Sequence, residues 1–171
     1  MTGSKIKIML GAMAAFLSLA EIALAEDKEP TAVMELGGAG ELGLQDGSSS
    51  LGPSLAVEFT PIKDWLEIEA GVSPLFGGGR AEWGTDLLLK KPFDLSDRVE
   101  FMFGAGPEWK HTIGDGKITD SIAGEAVLDF MFWQSKERTV GWFFEPTYGY
   151  DFSRGHEQSL GGTVGLLIAI R

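Results

Sequence analysis

Residues 65–76, WLEIEAGVSPLF, carry the clearest sign of the fold. One face carries Leu66, Ile68, Ala70, Val72, Pro74 and Phe76, and the other carries Glu67, Glu69, Gly71 and Ser73. Because successive side chains of an extended strand point to opposite faces, this period of two predicts a β-strand. The strand has one apolar side and one charged side.

The same alternation recurs along the chain, most clearly over residues 98–111 and 140–152. We predict strands near 32–44, 50–60, 65–76, 80–91, 98–112, 118–132, 140–152 and 157–170. Most exceed the usual strand length of soluble proteins, about five or six residues, and the roughly 9 to 11 needed to cross a bilayer. The pattern predicts an all-β fold, namely a closed antiparallel up-and-down transmembrane β-barrel of about eight strands.

The connections between these strands alternate in character. Residues 61–64, 94–97 and 134–139 read as tight turns, whereas 46–49, 77–79, 114–117 and 153–155 are flexible and polar. With the N-terminus in the periplasm, the tight turns lie inside and the flexible connections outside, as in outer-membrane barrels.

The first 25 residues have the features of an export signal. Lys5 and Lys7 precede an apolar run over residues 8–20, and Ala23-Leu24-Ala25 provides a small-x-small cleavage pattern. The apolar run is shorter than the roughly 20 residues that a membrane helix needs. We therefore expect a cleavable signal peptide at residues 1–25, cut after Ala25, and one barrel domain at residues 26–171.

Composition limits the possible chemistry. With 14 Lys and Arg against 25 Asp and Glu, the net charge of -11 disfavours nucleic-acid binding. The absence of cysteine excludes disulfides and thiolate sites. The two histidines, His111 and His156, are far apart, and His156 and Ser159 are odd-spaced on an extended segment, so their side chains should diverge. We expect no enzyme activity, no cofactor and no metal site.

The final strand, TVGLLIAIR at residues 163–171, has a polar-x-Gly-x-x-apolar-x-apolar pattern. It resembles the C-terminal insertion signal of bacterial outer-membrane proteins, with Thr163, Gly165, Ile168 and Ile170 at the signal positions. Many members of that family end on an aromatic residue, whereas this chain ends on Arg171.

The mature chain as a whole resembles the small eight-stranded outer-membrane β-barrel superfamily, which includes the membrane domain of outer-membrane protein A. The resemblance implies a bacterial outer-membrane location. It also implies two partners, outer-membrane lipid and the barrel-assembly machinery. It carries no active-site motif, so it implies a place and a fold rather than an activity.

If the apolar face meets lipid, the charged face lines the lumen. The predicted lumen cluster consists of Glu58, Glu67, Glu69, Glu82, Asp86, Arg98, Glu100, Glu108, Lys110, Glu125, Asp129 and Glu145. Glu35, Glu41, Lys90 and Asp151 share this face. An eight-stranded barrel is filled by its own side chains. Arg98 and Lys110 should pair with carboxylates, and the excess acids must hold protons, water or cations.

Four functions remain open for such a barrel. The first is an integral outer-membrane protein with a structural, envelope-maintenance or interaction role. The second is a narrow pore for cations or small ligands, suggested by the acidic lumen. The third is a lipid-modifying outer-membrane enzyme, which the scaffold permits. The fourth is a soluble periplasmic, lipocalin-like carrier whose apolar faces point inward around an apolar ligand.

Two further expectations concern aromatics and prolines. Aromatic residues lie near both ends of the predicted strands, as in interfacial girdles. The predicted periplasmic turns are bordered by Trp65, Phe93 and Trp133, and the other rim by Trp83, Trp109, Tyr150 and Phe152.

Three prolines fall inside predicted strands, where proline removes a ladder donor, namely Pro74, Pro107 and Pro146. We expect bulges or rim positions there.

Overall fold

The structure is a computed structural model that describes residues 30–114, 116–153 and 155–171. Its strands are β1 (Ala32–Gly43), β2 (Ser49–Ile62), β3 (Leu66–Gly77), β4 (Arg80–Ser96), β5 (Val99–Gly114), β6 (Lys117–Trp133), β7 (Val140–Asp151) and β8 (Gln158–Ile170). Each strand pairs antiparallel with its neighbours in sequence, and β8 pairs with β1, which closes the barrel. The predicted fold class is confirmed. The predicted signal peptide at residues 1–25 lies outside the described residues.

Strand boundaries follow the predicted ones closely except at the end of β4. This strand continues to Ser96, five residues beyond the predicted end, and β5 begins at Val99. The connection is therefore the two-residue turn at Asp97 and Arg98, not residues 94–97. The alternation extends through this segment, since Pro92 faces the lumen and Phe93 faces outward, so pairing with β5 stops only at the turn.

The three strand prolines occupy neither bulges nor rims. Pro74, Pro107 and Pro146 each pair with a residue on one neighbouring strand, namely Trp83, Gly124 and Gly162. On the other neighbouring strand the pairing is interrupted opposite the proline and resumes in the same register. Because proline has no N–H to donate, a local gap in one ladder accommodates it without displacing the strand.

The two ends of the barrel differ. One end, here called the terminal end, holds residues 30–31, Arg171 and the connections that follow β2, β4 and β6. The opposite end, called the loop end, holds the connections that follow β1, β3, β5 and β7. Within the described part of the chain, no helix is long and apolar enough to cross a membrane.

The outer wall is apolar and the inner wall is charged, as the alternation predicts. Leu51, Trp142 and Val164 are about half exposed or more, whereas Glu58 and Asp129 are almost completely buried. This arrangement contradicts the lipocalin-like alternative, which required Ile68, Phe101 and Trp142 to point inward. Aromatic side chains exposed on the outside include Trp65, Phe93, Trp83 and Phe152.

One aromatic prediction is wrong. Trp133 is only 4% exposed and packs inside the barrel, so it is not part of an outer girdle. It shares the inward face of β6 with Met131 and Asp129, two and four residues earlier. The alternation of β6 therefore predicts the direction of the Trp133 side chain better than its position beside a turn does.

Candidate functional site

The charged lumen is the candidate site, and glycines on its wall make room for the long charged side chains. A Cβ atom on Gly104 would lie 2.7 Å from Lys90 Cγ, and one on Gly71 would lie 2.7 Å from Asp86 Oδ2. Lys90 and Gly104 are directly opposite each other on β4 and β5. Gly71 and Asp86 are opposite on β3 and β4. A larger residue at either glycine would displace the charged group beside it.

An apolar plug fills the terminal end of the lumen. It is formed by Val33, Met102, Met131, Trp133, Phe143 and Leu167, all of them buried. Phe143 and Leu167 have no exposed surface. These residues lie on inward positions that the sequence analysis expected to be polar, and no sequence signal distinguished them from outward apolar residues. The plug leaves the described barrel closed at this level.

Above the plug, Lys90 lies at the centre of the Lys90 cluster, which comprises Lys90, Glu35, Glu58, Glu69, Asp129 and Glu145. Lys90 is 1% exposed. Its Nζ lies 2.9 Å from Asp129 Oδ2, 2.6 Å from Glu145 Oε2 and 3.5 Å from Glu58 Oε2, and it also pairs with Glu69. One ammonium on β4 thereby links carboxylates of β2, β3, β6 and β7. Such contacts are what allow charges to stay buried.

A second ion-pair group lies nearer the loop end, around Lys110. The Lys110 Nζ atom is 2.7 Å from Glu41 Oε2 and 3.5 Å from both Glu82 Oε1 and Glu108 Oε2. The Thr112 hydroxyl donates to Glu82 at 2.6 Å. The carboxylates of this group are more exposed than those around Lys90. Lys110 thus pairs with carboxylates, as expected from the sequence.

Between the two lysine groups lies a cavity of about 50 Å³. Its charged lining consists of Glu35, Glu41, Glu69, Asp86, Glu108, Glu125 and Glu145. No lysine or arginine of the described chain lines it. A separate, larger space of about 150 Å³ lies at the loop end and includes Lys110 and Glu82 in its lining. The lumen therefore contains water-sized spaces, most acidic in the middle of the barrel.

The terminal mouth of the barrel is covered by Arg138, which the sequence analysis missed. Arg138 projects from the β6–β7 connection, donates to Glu100 Oε2 at 3.0 Å and pairs with Asp94. The predicted inward cation, Arg98, is instead exposed in the β4–β5 turn. The reason is the length of β4, since Arg98 precedes β5 and does not share the pleat of that strand.

The other predicted lumen residues lie on the inner wall. Glu67 and Glu100 are buried toward the terminal end, and Glu125 lines the central cavity. The two histidines lie apart, with His111 Nδ1 2.6 Å from Asp120 Oδ1 and His156 exposed in the β7–β8 connection.

The four predicted insertion-signal residues lie in β8, the strand that closes the barrel against β1. Thr163 and Gly165 face inward, and Ile168 and Ile170 face outward. A Cβ atom on Gly165 would collide with the backbone of β1 at Leu36 and Gly37. The small residue therefore permits close approach of the two strands at the barrel seam.

Comparison with known proteins identifies the architecture. No protein-family model matches the chain, and no curated protein matches its sequence. Neisserial surface protein A is similar in structure at a TM-score of 0.65 and 12% identity, over 81% of this chain and 96% of that one. The outer membrane protein OprG from Pseudomonas aeruginosa is similar at a TM-score of 0.60 and 11% identity, over 84% of this chain and 98% of that one. Ail, the attachment invasion locus protein of Yersinia pestis, is similar at a TM-score of 0.54 and 12% identity, over 82% of this chain and 98% of that one.

These likenesses concern the fold, since so few residues are identical. The shared fold agrees with the resemblance to small eight-stranded outer-membrane β-barrels that the sequence shows. The chain has the fold of the small eight-stranded outer-membrane β-barrels.

Proposed function

We propose that this chain is an integral protein of the bacterial outer membrane with a structural, envelope-maintenance or interaction role. In this proposal residues 1–25 are the export signal, and the mature barrel begins at Glu26. The observation that carries it is the inverted wall, with apolar side chains outside and charged side chains inside. A lipid surround stabilises this arrangement, because water-exposed apolar patches of this extent mark membrane or protein contacts.

The terminal-end plug supports a structural role over a pore. Met102 and Phe143 are completely buried across the lumen, and the cavity beyond them holds only about 50 Å³. A conducting pathway would require these side chains to move. His111 bonds the Asp120 carboxylate rather than a hydroxyl group, which supports a non-enzymatic role.

Assembly requires the two partners that the sequence suggested, outer-membrane lipid and the barrel-assembly machinery. Gly165 and Ile168 lie in the strand that pairs with β1 to close the sheet, and this position supports a role for residues 163–170 in recognition. The hypothesis predicts that Gly165→Val blocks assembly and leaves an unfolded precursor or a degraded chain.

The proposal is tested by expressing the full chain in a Gram-negative host and separating the two membranes. We expect recovery in the outer membrane, a mature N-terminus at Glu26, and slower gel migration after boiling. A matched control replaces Ala23 and Ala25 by leucine, which should leave the precursor uncut. A freely soluble periplasmic product, or migration unaffected by boiling, would refute the membrane barrel.

A further inference from the structure

Four acidic side chains converge on one point inside the Lys90 cluster. Glu35, Glu58, Glu69 and Asp129 each present a carboxylate oxygen, and these oxygens all lie within 4.8 Å of one another. The residues come from β1, β2, β3 and β6, so the closed barrel alone brings them together. All four are at least nine-tenths buried.

Their oxygens are incompletely satisfied, which is the second and independent observation. Glu35 Oε1 and Asp129 Oδ1 are buried and have no hydrogen-bond partner in the described part of the chain. Lys90 contacts the other oxygen of Asp129, at 2.9 Å. A buried acceptor without a donor is destabilising, so each of these atoms calls for a proton or a cation.

The Lys90 cluster contains more acidic groups than basic groups, which also favours binding of a cation. One ammonium faces the four convergent carboxyl groups, and Glu145 adds a fifth. Lys110 and Arg138 pair with other acids, toward the loop end and at the terminal mouth. A second positive charge would therefore fill a local deficit rather than compete with an existing pair.

We propose that Glu35, Glu58, Glu69 and Asp129 bind a divalent cation of the calcium type beside the Lys90 ammonium. Calcium–oxygen distances of about 2.3–2.6 Å place opposite ligands about 4.6–5.2 Å apart, and four oxygens within 4.8 Å of one another can surround such an ion. Magnesium demands near-ideal octahedral geometry and usually keeps several waters, so a site built mainly from protein carboxylates suits calcium better. Carboxylate oxygens are the ligands that both ions prefer.

The central cavity has room for the water ligands that a calcium ion needs in addition to four carboxylates. Glu35 and Glu69 belong to the cation site and also line this cavity. Since one water molecule needs about 10–15 Å³ of such space, the cavity of about 50 Å³ has room for about three to five water molecules. Since calcium takes six to eight ligands, water from the cavity completes the coordination. The plug blocks the terminal end, so the ion enters from the loop end.

The test measures calcium binding by the full mature barrel refolded in a zwitterionic detergent. Barrel formation is first verified by the boiling-dependent gel shift, which keeps the failure of this inference distinct from the failure of the proposed function. After removal of metals with EDTA, flow dialysis with radioactive Ca²⁺ should show one ion per chain. We expect Asp129→Asn to weaken binding by about tenfold or more, and Glu35→Gln with Asp129→Asn to abolish it.

The matched control is Glu157→Gln, which removes an exposed acid in the β7–β8 connection. It should leave the affinity unchanged. A wild-type barrel that binds no Ca²⁺, binding unaffected by Asp129→Asn, or an equal loss in the control would each overturn the proposal. So would Mg²⁺ binding as tight as Ca²⁺ binding.

A second readout needs no variant. A ligand that binds only the folded state raises its stability, so CaCl₂ should raise the temperature at which the folded gel band of the wild-type barrel disappears, relative to EDTA. An unchanged temperature in CaCl₂ and EDTA would count against the site.

Discussion

Glu100 and Phe101 are neighbours on β5, yet they lie on opposite sides of the barrel wall. Glu100 is buried in the lumen and bonded to Arg138, whereas Phe101 belongs to the outer wall and packs its ring 5.0 Å from that of Phe130. Phe101 is surrounded on the outer wall by other aromatic rings, those of Phe93 and Phe130, whereas Glu100 meets a guanidinium group in the lumen. The difference shows that a charged residue is tolerated where another charge compensates it.

The two lysines of the lumen differ in how deeply their carboxylate partners are buried. Lys90 is enclosed by carboxylates that are almost fully buried, while Lys110 pairs with carboxylates that are 13–26% exposed. Water near the loop end shares the task of solvating Lys110. The Lys90 side chain has no exposed surface, so its removal should have the larger consequence.

The largest effect is expected for Lys90→Met. Removing the ammonium leaves several buried carboxylates uncompensated, and breaking buried pairs in this way costs about 3–5 kcal/mol. Urea unfolding in detergent, followed by the gel shift, measures the loss. The control is Lys91→Met at the next position, where the side chain bonds the Asp64 carbonyl and lies 5.2 Å from the Phe93 ring centre. Equal losses in both variants would contradict the role assigned to Lys90.

The next largest effect is expected for Phe101→Arg. An arginine on the lipid face near the middle of the bilayer costs about 2–4 kcal/mol. Glu100→Gln should cost about 1 kcal/mol or less, because glutamine still accepts a hydrogen bond from Arg138. Unfolding in lipid bilayers compares the two. Comparable damage from both changes would show that the faces are wrongly assigned.

A smaller loss is expected for Lys110→Met, about 1–2 kcal/mol, because its partners are partly solvated. The measurement is the same urea unfolding, repeated at high salt. The loss should shrink as salt increases, whereas the Lys90→Met loss should change little, because buried pairs are screened less. A Lys110→Met loss that matches that of Lys90→Met would remove the distinction between the two groups.

The smallest effect is expected for Asp97→Asn in the exposed β4–β5 turn. A hydrogen bond from the Lys136 ammonium, with its positive charge, holds the pKa of Asp97 below its ordinary value. The carboxylate thus contributes stability above its ordinary pKa of about 3.9, and this contribution disappears as the pH falls through the lowered pKa. Wild type and variant should differ slightly at neutral pH and converge in strong acid. A difference that grows on acidification would contradict the ion pair.

The strands themselves were predictable because their period is local. Side chains two apart share a face whatever the rest of the chain does, so Ile68 and Glu69 could be assigned to opposite walls from sequence alone. Errors arose where a residue's position relative to a strand end mattered. Arg98 lies in the turn before β5 because β4 pairs beyond its predicted end, and Trp133 faces inward despite its place beside a turn.

The contents of the lumen were less predictable. Apolar residues such as Met102 and Phe143 occupy inward positions and form the plug, although alternation treats inward residues as polar. Arg138 reaches Glu100 across 38 positions of sequence from a connection with no distinctive pattern. Nothing local to either residue encodes that contact.

The amino-acid sequence alone establishes that the chain forms about eight strands, which side chains share a wall, and that acids exceed bases on the charged wall. These properties depend on local alternation and composition. The closed tertiary structure decided which acids meet Lys90, where the plug seals the lumen, and that Glu35, Glu58, Glu69 and Asp129 converge. The physical reason is register, because the stagger between paired strands sets the height of each side chain along the barrel axis.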